Sequence, residues 1–512
     1  MKAKSSKKSS SPASSEWIHP LMNLHVDQDF SGDTVAHFFF QNDKKEAQTH
    51  SSTLTEIQDL VKNKVFTATA KSIFFIRASY IEKKNILTVG LGNKTDFSTE
   101  KARLTGAIAF QKCQSEKIKH LGLHVDQMIQ SLSKAHLEAA LTGFLEGFYL
   151  ASYTFEKYKS QQKPATEMEV TLISEDKKVH ALLKEISNAV LTTVDCTFIA
   201  RDFSNEPSNF GTPVYYANEI STLAKKFGLK CKIMNDAEAK KEKMDLYLSV
   251  GAGSARESRV VILEHAPKSA KKTVALVGKG VTFDSGGLSL KPGLRMEDMK
   301  HDMSGAANIL GATLLAARLG SKNKIVTVLV FCENMPGGKA TQPGNVIKSR
   351  SGKTVEIFNT DAEGRLILAD ALDLAQDYKP DVMINAATLT GACSIALGKL
   401  VSALFSNDEK LTKQIHASTN VTEEKLWELP MFDEYFDDLK SHYADMSNVA
   451  NDSNGGTIRG AVFLKQFIKP GQKWAHIDLA NTAYDQGYLP YNPRKGASGK
   501  YVRTLAHFTM NY

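Results

Sequence analysis

Apolar and polar positions follow two spacings along this chain: short β-branched runs, and longer stripes with helical periodicity. In the first third, 36–40, 72–76 and 86–89 read as strands, and 100–114 and 135–151 read as helices. The polar segment 160–167, with Pro164, closes this unit, and the amphipathic stretch 177–198 predicts a connecting helix. Beyond it, 245–250, 260–264, 273–277, 325–332, 382–387 and 475–479 are strand candidates separated by helical stripes. Such alternation predicts an α/β fold with a doubly wound, mostly parallel central sheet flanked by helices on both faces. The expected organisation is a disordered Lys/Ser-rich tail over 1–24, a smaller N-terminal α/β domain over 25–165, a connecting segment and helix over 166–199, and a larger C-terminal α/β domain over 200–512. Trp427 and Trp474 are expected in the core or at subunit contacts, and no internal repeat is evident.

The chemistry concentrates at two places. The run 273–277 reads as a buried strand, and Gly278-Lys279-Gly280 predicts that the backbone turns where the lysine stands. Asp284 follows in a loop containing Ser285-Gly286-Gly287, and Lys291 comes next. Met299, Met303, Ala306, Ala307, Leu310, Leu314 and Ala317 then trace a helical stripe, with Asp302 in its first turns. At the second place, 355–358 reads as a strand, and Asp361 and Glu363 share one side of an extended segment. A helix is expected from position 365, with Leu366, Ala369, Leu372 and Leu374 buried.

Four carboxylates thus fall on strand ends and adjoining turns, where open α/β sheets bind ligands. Two carboxylates about 4 Å apart repel by roughly 4 kcal/mol at an effective dielectric near 20, so their convergence requires compensation. Two divalent cations supply it. Four negative charges balance two such ions if Lys279 is uncharged, and burial and neighbouring cations both depress an amine's pKa. Mixed nitrogen and oxygen ligation suits Zn²⁺ and admits Mn²⁺, Co²⁺ or Mg²⁺. Spacing alone does not identify Lys279 as a ligand.

Composition narrows the alternatives. The 42% apolar content over 512 residues implies about two domains with substantial cores. Five scattered cysteines, never in CxxC spacing, argue for reduced thiols in a cytoplasmic compartment. No apolar run reaches membrane-spanning length, and the tail lacks the apolar core of a secretory signal and is a weak transit-peptide candidate. HExxH and GxSxG are absent, which removes the zincin and serine-hydrolase signatures. Gly90-Leu91-Gly92 lacks the third glycine of a dinucleotide fingerprint and reads as a strand-to-loop turn. His301 adjoins Asp302, but successive helix positions point about 100° apart, so it is not counted among the ligands.

The segments VGKGVTFDSGG, Lys291, MKHDMSGAA and NTDAEGRL, in this order, resemble the leucine aminopeptidase family of two-metal, hexameric peptidases. EGFYLASYTFEKYK, ARDFSNEPSNFGTP, ENMPGG, ATLTGA and KWAHIDLA extend the resemblance from near residue 30 to the C-terminus. The resemblance implies a metalloexopeptidase in which Lys279, Asp284, Asp302 and Glu363 hold the tighter ion, and Asp284, Asp361 and Glu363 the more exchangeable one. It places the catalytic side chains at Lys291 and Arg365, the latter binding a bicarbonate as general base. Arg365 follows a glycine at a helix start, a position that favours a planar anion. The resemblance also puts Met299, Thr388, Leu389 and Gly391 around the N-terminal residue of a peptide substrate, with Leu or Met preferred, and implies a cytoplasmic homohexamer.

Three positions depart from the family pattern: Ser304 in place of a glycine, His301 in place of a small residue, and Arg459 among small or apolar neighbours. None removes a ligand. A nucleic-acid-binding role is the alternative, prompted by a net charge of +8 and four lysines in the first eight residues. It is disfavoured, because no aromatic-interleaved basic motif or helix-turn-helix signal accompanies the charge. A scaffolding pseudo-enzyme is disfavoured because every implied ligand is retained.

Overall fold

The computed structural model describes residues 19, 23–41, 60, 63–77, 84–161 and 168–512. The tail expected over 1–24 lies outside the described residues, apart from His19, Asn23 and Leu24. In the first domain the strands are β1 (Leu24–Asp27), β2 (Thr34–Phe40), β3 (Ile73–Ile76), β4 (Asn85–Gly92), β5 (His120–His124) and β6 (Glu169–Ile173). They form one sheet in the order β1-β6-β5-β2-β4-β3, parallel except where β3 meets β4. Helices α1 (Thr99–Ser115) and α2 (Lys134–Leu150) supply Ala107, Phe110, Leu141, Phe144 and Phe148 to a core shared with Ala36, Phe38, Leu87 and Val89 of the sheet.

A third helix, α3 (His180–Asn205), ties the domains together. Leu183, Ile186, Val190 and Val194 belong to the first core, whereas Cys196, Ile199, Ala200 and Phe203 belong to the second. The helix expected over 177–198 therefore runs on past Ala200 without a break, because its apolar stripe keeps finding a core to enter.

The second domain contains β7 (Lys230–Met234), α4 (Asp245–Gly251), β8 (Arg259–His265), β9 (Thr273–Asp284), α5 (Ser304–Arg318), β10 (Lys324–Asn334), β11 (Val346–Lys348), β12 (Thr354–Glu356), α6 (Glu363–Ala375), β13 (Val382–Ala387), α7 (Gly391–Leu397), β14 (Ser402–Ser406), β15 (Leu426–Glu428), β16 (Met446–Ser447), α8 (Gly456–Lys465) and β17 (Trp474–Asp478). Its main sheet has the order β15-β14-β17-β13-β9-β10-β8-β7, and the central four strands β17, β13, β9 and β10 are parallel. Alternate residues of β9 feed opposite cores. Val274 and Leu276 pack with Leu310, Leu314 and Leu505, and Ala275 and Val277 pack with Leu366, Ala369 and Val462. From β9 the chain crosses to β10 on one side, and from β13 it leaves toward β14 on the other. The crevice at their carboxyl ends is a topological switch point.

Three sequence expectations are corrected. The segment 245–250, expected as a strand, is helix α4. Its buried Leu246, Tyr247 and Val250 fit helical spacing, and its Tyr247 N–H donates to Asp370 Oδ2 at 3.0 Å, so a carboxylate distant in sequence satisfies the helix start. The turn expected at Gly278-Lys279-Gly280 does not occur, because β9 keeps its pairing with β10 past Gly278, where β13 leaves it, and continues to Asp284. The strand expected over 355–358 is the short β12, which pairs with β11 and β16 in a separate three-stranded sheet. Trp474 is buried in the core, and Trp427 is exposed on the edge strand β15. The five cysteines are free thiols. Among the described residues no helix is long and apolar enough to cross a membrane.

His19 docks on the outer face of α3. Its Nδ1 lies 3.0 Å from Asp195 Oδ1, its Nε2 lies 2.7 Å from Asp202 Oδ2, and its ring meets Phe198 edge-on. Burial alone lowers the imidazole pKa, but the two carboxylates outweigh it and raise the value to about 9. A pKa raised by folding contributes stability that is full below the ordinary value of 6.5 and is lost as pH rises through about 9. The melting-temperature gap between the wild type and His19→Ala should therefore close between pH 6 and pH 10. A gap constant with pH would show that the contact does not depend on the imidazolium.

Candidate metal centre

Each central parallel strand delivers a polar side chain to the same edge of the sheet. Asn334 closes β10, Asp284 closes β9, Thr388 follows β13 and Asp478 closes β17. Lys279, deep in β9, places Nζ 2.8 Å from Asp302 Oδ1, 2.8 Å from Glu363 Oε1 and 2.8 Å from the Thr388 carbonyl oxygen. Lys291, in the loop after β9, sets Nζ 2.7 Å from Asp284 Oδ2 and also pairs with Asp361. Carboxylate oxygens of Asp284, Asp361 and Glu363 lie within 4.8 Å of one another. All seven charged positions singled out in the sequence, these six and Arg365, therefore stand at this edge.

The local routes differ from those expected. Asp302 belongs to a 3-10 helix, Met296–Met303, that precedes α5. Residues three apart eclipse in such a helix, so half-buried Met299 stands over Asp302. Asp361 and Glu363 do not share one side of an extended segment. Glu363 opens α6, while Asp361 lies in the preceding turn, where its N–H donates to Asn359 Oδ1 at 2.8 Å. The turn folds the two carboxylates toward each other instead. Two glycines permit the crowding: a Cβ on Gly364 would lie 2.6 Å from Lys279 Cε, and Gly286, at φ +87°, would carry a Cβ 2.8 Å from Asp361 Oδ1.

The electrostatics are those of an overcrowded acidic nest. Burial and the charge of Glu363 push the Asp284 carboxyl up to about 6, and burial raises Asp302 and Asp361 as well. Burial also opposes ionisation of Glu363, but Lys279 and Lys291 outweigh it and hold this carboxyl below its usual range. Without cations the Lys279 amine is not depressed: burial lowers its pKa, but Asp302, Glu363 and Asp284 raise it further. The carboxylates themselves thus keep the ammonium charged, and only added cations can make it a neutral ligand. Arg365, two residues into α6, is buried, which pulls its guanidinium down to about 10, and its Nη1 donates to the Asn448 carbonyl at 2.8 Å.

The donor set fits divalent cations. Asp302 Oδ2 and Glu363 Oε2 are buried without a hydrogen-bond partner, whereas Asp361 Oδ1 is paired with the Lys291 ammonium. Unsatisfied buried carboxylate oxygens aimed into one nest are what metal coordination would satisfy.

Thr388 also donates from Oγ1 to Asp302 Oδ1 at 2.8 Å; Leu389 is half-buried, and Gly391 is exposed at the start of α7. His301 does not join the ligands. Its Nδ1 meets the Ser204 carbonyl at 2.7 Å and its ring stacks on Tyr484. Ser304, the second departure, bonds Ser204 Oγ at 2.5 Å. Arg459 turns away to Asp438 and Asp452, while the next residue, Gly460, faces Leu389, Thr390 and Arg365.

Sequence reasoning missed the residues that hold this arrangement. Asn334 Nδ2 donates to Asp284 Oδ1 at 2.8 Å and to the Thr360 carbonyl at 3.0 Å, joining the ends of the two motifs. Asn448 Oδ1 accepts from the Phe358 N–H at 2.8 Å, and its Nδ2 donates to the Asn359 carbonyl at 2.7 Å. Replacing Asn334 by Ala is expected to weaken metal binding or lower activity by about 10–100-fold, measured by metal titration and kcat/KM. An unchanged affinity and rate would show that Asp284 does not depend on it.

A carboxylate nest with two lysines at the switch point of an α/β sheet has the donor set that a metal-dependent hydrolase requires. The comparisons specify which kind. The profile of the cytosol aminopeptidase family, catalytic domain, matches residues 198–506, and that of the family's N-terminal domain matches 38–162. The chain belongs to the cytosol aminopeptidase family and is a metalloexopeptidase. The "Probable cytosol aminopeptidase" of Geotalea uraniireducens is 39% identical over 428 residues, 83% of this chain and 85% of that one. The corresponding protein of Bdellovibrio bacteriovorus is 37% identical over 479 residues, 92% and 95% of the two chains. Among solved structures, the bottromycin maturation enzyme BotP, also solved in complex with Mn, superimposes with a TM-score of 0.82 at 31% identity, covering 94% of this chain and 99% of its own. A tomato leucine aminopeptidase carrying a lysine-to-glutamate mutation gives a TM-score of 0.82 at 27% identity, covering 96% and 97%.

Proposed function

We propose that the protein releases N-terminal amino acids, Leu or Met by preference, from peptides at a pair of divalent cations. Lys279, Asp284, Asp302 and Glu363 would hold the tighter ion and Asp284, Asp361 and Glu363 the exchangeable one, the two sets sharing Asp284 and Glu363. The observation that carries this reading is the convergence of Asp284, Asp361 and Glu363 oxygens within 4.8 Å of one another, with Glu363 Oε2 and, across Lys279, Asp302 Oδ2 buried without a hydrogen-bond partner. When bound, such a pair would supply a Lewis acid for the substrate's free α-amine and a water of lowered pKa beside the first peptide carbonyl. Zn²⁺ or Mn²⁺ suits the donor set, with Co²⁺ or Mg²⁺ admissible at the exchangeable position.

The chain's own residues do the rest. Lys291 is the lysine that can reach an entering substrate, its side chain being 21% exposed against 3% for Lys279. Its ammonium stabilises the negative charge that develops on the carbonyl oxygen. Arg365, anchored through Nη1 on Asn448, would hold a bicarbonate with the remainder of its planar fork, and that anion would supply a general base. Met299, Thr388, Leu389 and Gly391 surround the N-terminal side chain, and the adaptable Met suits unbranched or γ-branched apolar groups. A cytoplasmic homohexamer belongs to the same proposal.

The test is release of the first residue from X-amides and X-peptides after chelation and after return of Mn²⁺ or Zn²⁺. Chelation should abolish cleavage, either ion should restore it, and an acetylated α-amine should block it. Cleavage that survives chelation, or that accepts blocked peptides, would overturn the reading.

A further inference from the structure

Asp478 stands fully buried at the carboxyl end of β17, directly across from Ala387, the last residue of β13. Its Oδ1 accepts from the N–H groups of Leu389 at 3.1 Å, Thr390 at 3.4 Å and Ala480 at 3.2 Å. Its Oδ2 accepts from Thr390 Oγ1 at 2.7 Å and from Thr457 Oγ1, on α8, at 3.0 Å. Two oxygens thus satisfy donors from three segments, and all of the donors are neutral. Nothing in the mechanism uses this carboxylate directly, yet it fixes the turn in which β13 gives way to α7. That turn carries Thr388, whose carbonyl receives Lys279 Nζ and whose hydroxyl reaches Asp302, and it carries Leu389 and Gly391.

We propose that Asp478 is a positioning residue that sets the wall of the pocket for the substrate's N-terminal side chain. Resting on the aminopeptidase reading above, the proposal explains why a carboxylate is needed. An acceptor-only group can take every N–H and O–H aimed at it, whereas an amide of the same shape would turn an NH₂ toward at least some of those donors. The turn would then shift, and Leu389 with it. The metal ligands would stay in place, because Thr388 remains tied to Asp302 and Lys279 from the other side.

The experiment compares the metal-loaded wild type with Asp478→Asn and Thr457→Val, using Leu-amide and Ala-amide and, separately, Mn²⁺ titration by calorimetry. Asp478→Asn is expected to lower the Leu-over-Ala ratio of kcat/KM by about tenfold, mainly through KM for Leu-amide, with Mn²⁺ affinity unchanged. Thr457→Val, which removes one donor from outside the turn, should shift the ratio in the same direction by about threefold, and it decides the matter if Asp478→Asn does not fold. Equal loss on both substrates, an unchanged ratio in Thr457→Val, or a fall in Mn²⁺ affinity would overturn the proposal. A wild type that shows no metal-dependent cleavage of either amide would instead sink the underlying reading.

Discussion

Replacing Glu363 by Gln is expected to lower kcat/KM toward Leu-type substrates by about a thousandfold, on the order of 4 kcal/mol of transition-state stabilisation. Glu363 is the first residue of α6, buried to 3% side-chain exposure, with Oε1 on Lys279 and Oε2 without a partner. It belongs to both proposed ligand sets. Gln keeps the shape but removes one of four negative charges and one oxygen acceptor. The fold should persist, because Lys279 retains Asp302 and the Thr388 carbonyl. The expected signature is therefore lost metal binding and lost activity in a protein that still melts cooperatively. Retained metal stoichiometry with full activity would remove Glu363 from the centre.

Lys291→Ala should behave differently. Its ammonium lies at the rim of the nest between Asp284 and Asp361. If it serves the developing oxyanion, kcat should fall by about 10²–10³-fold while KM and the number of bound ions change little. Lys291→Arg should not restore the rate, since a planar fork cannot replace a compact charge on a flexible stem. A loss confined to KM would instead assign Lys291 to ground-state binding.

The charged residues of the site were legible in the sequence, but the paths by which the backbone delivers them were less so. Gly278-Lys279-Gly280 carries the local signal of a turn. In the fold, the parallel partner β10 keeps β9 extended through Lys279 and Gly280, and the glycine at 278 serves packing, since a Cβ there would lie 2.6 Å from Ala306 Cα. The run 245–250 alternates like a strand at Leu246, Leu248 and Val250, yet Leu246, Tyr247 and Val250 also fit a helix, and Asp370 settles the choice from across the domain. β7 and β15 escaped notice because edge strands bury little: β7 reads Lys-Cys-Lys-Ile-Met, and Trp427 of β15 faces outward.

Asn334, Asn448 and Asp478 escaped for another reason. Each is a single polar residue near a strand end, which in sequence looks like any cap or turn residue. Their partners lie 50, 90 and 89 positions away, so only the folded sheet brings the pairs together. Asn334 and Asp478 stand within ENMPGG and KWAHIDLA, yet those segments do not reveal which groups either side chain aims. The pKa of Lys279 shows the same limit: burial and charge act in opposite directions, and the fold decides which prevails.

The central claim is that one nest holds two cations. Anomalous diffraction from crystals loaded with Mn²⁺ tests it most directly. The account predicts two peaks within coordination distance of both Asp284 and Glu363, one also against Lys279 and Asp302, the other also against Asp361. A single peak, or peaks elsewhere on the molecule, would contradict it.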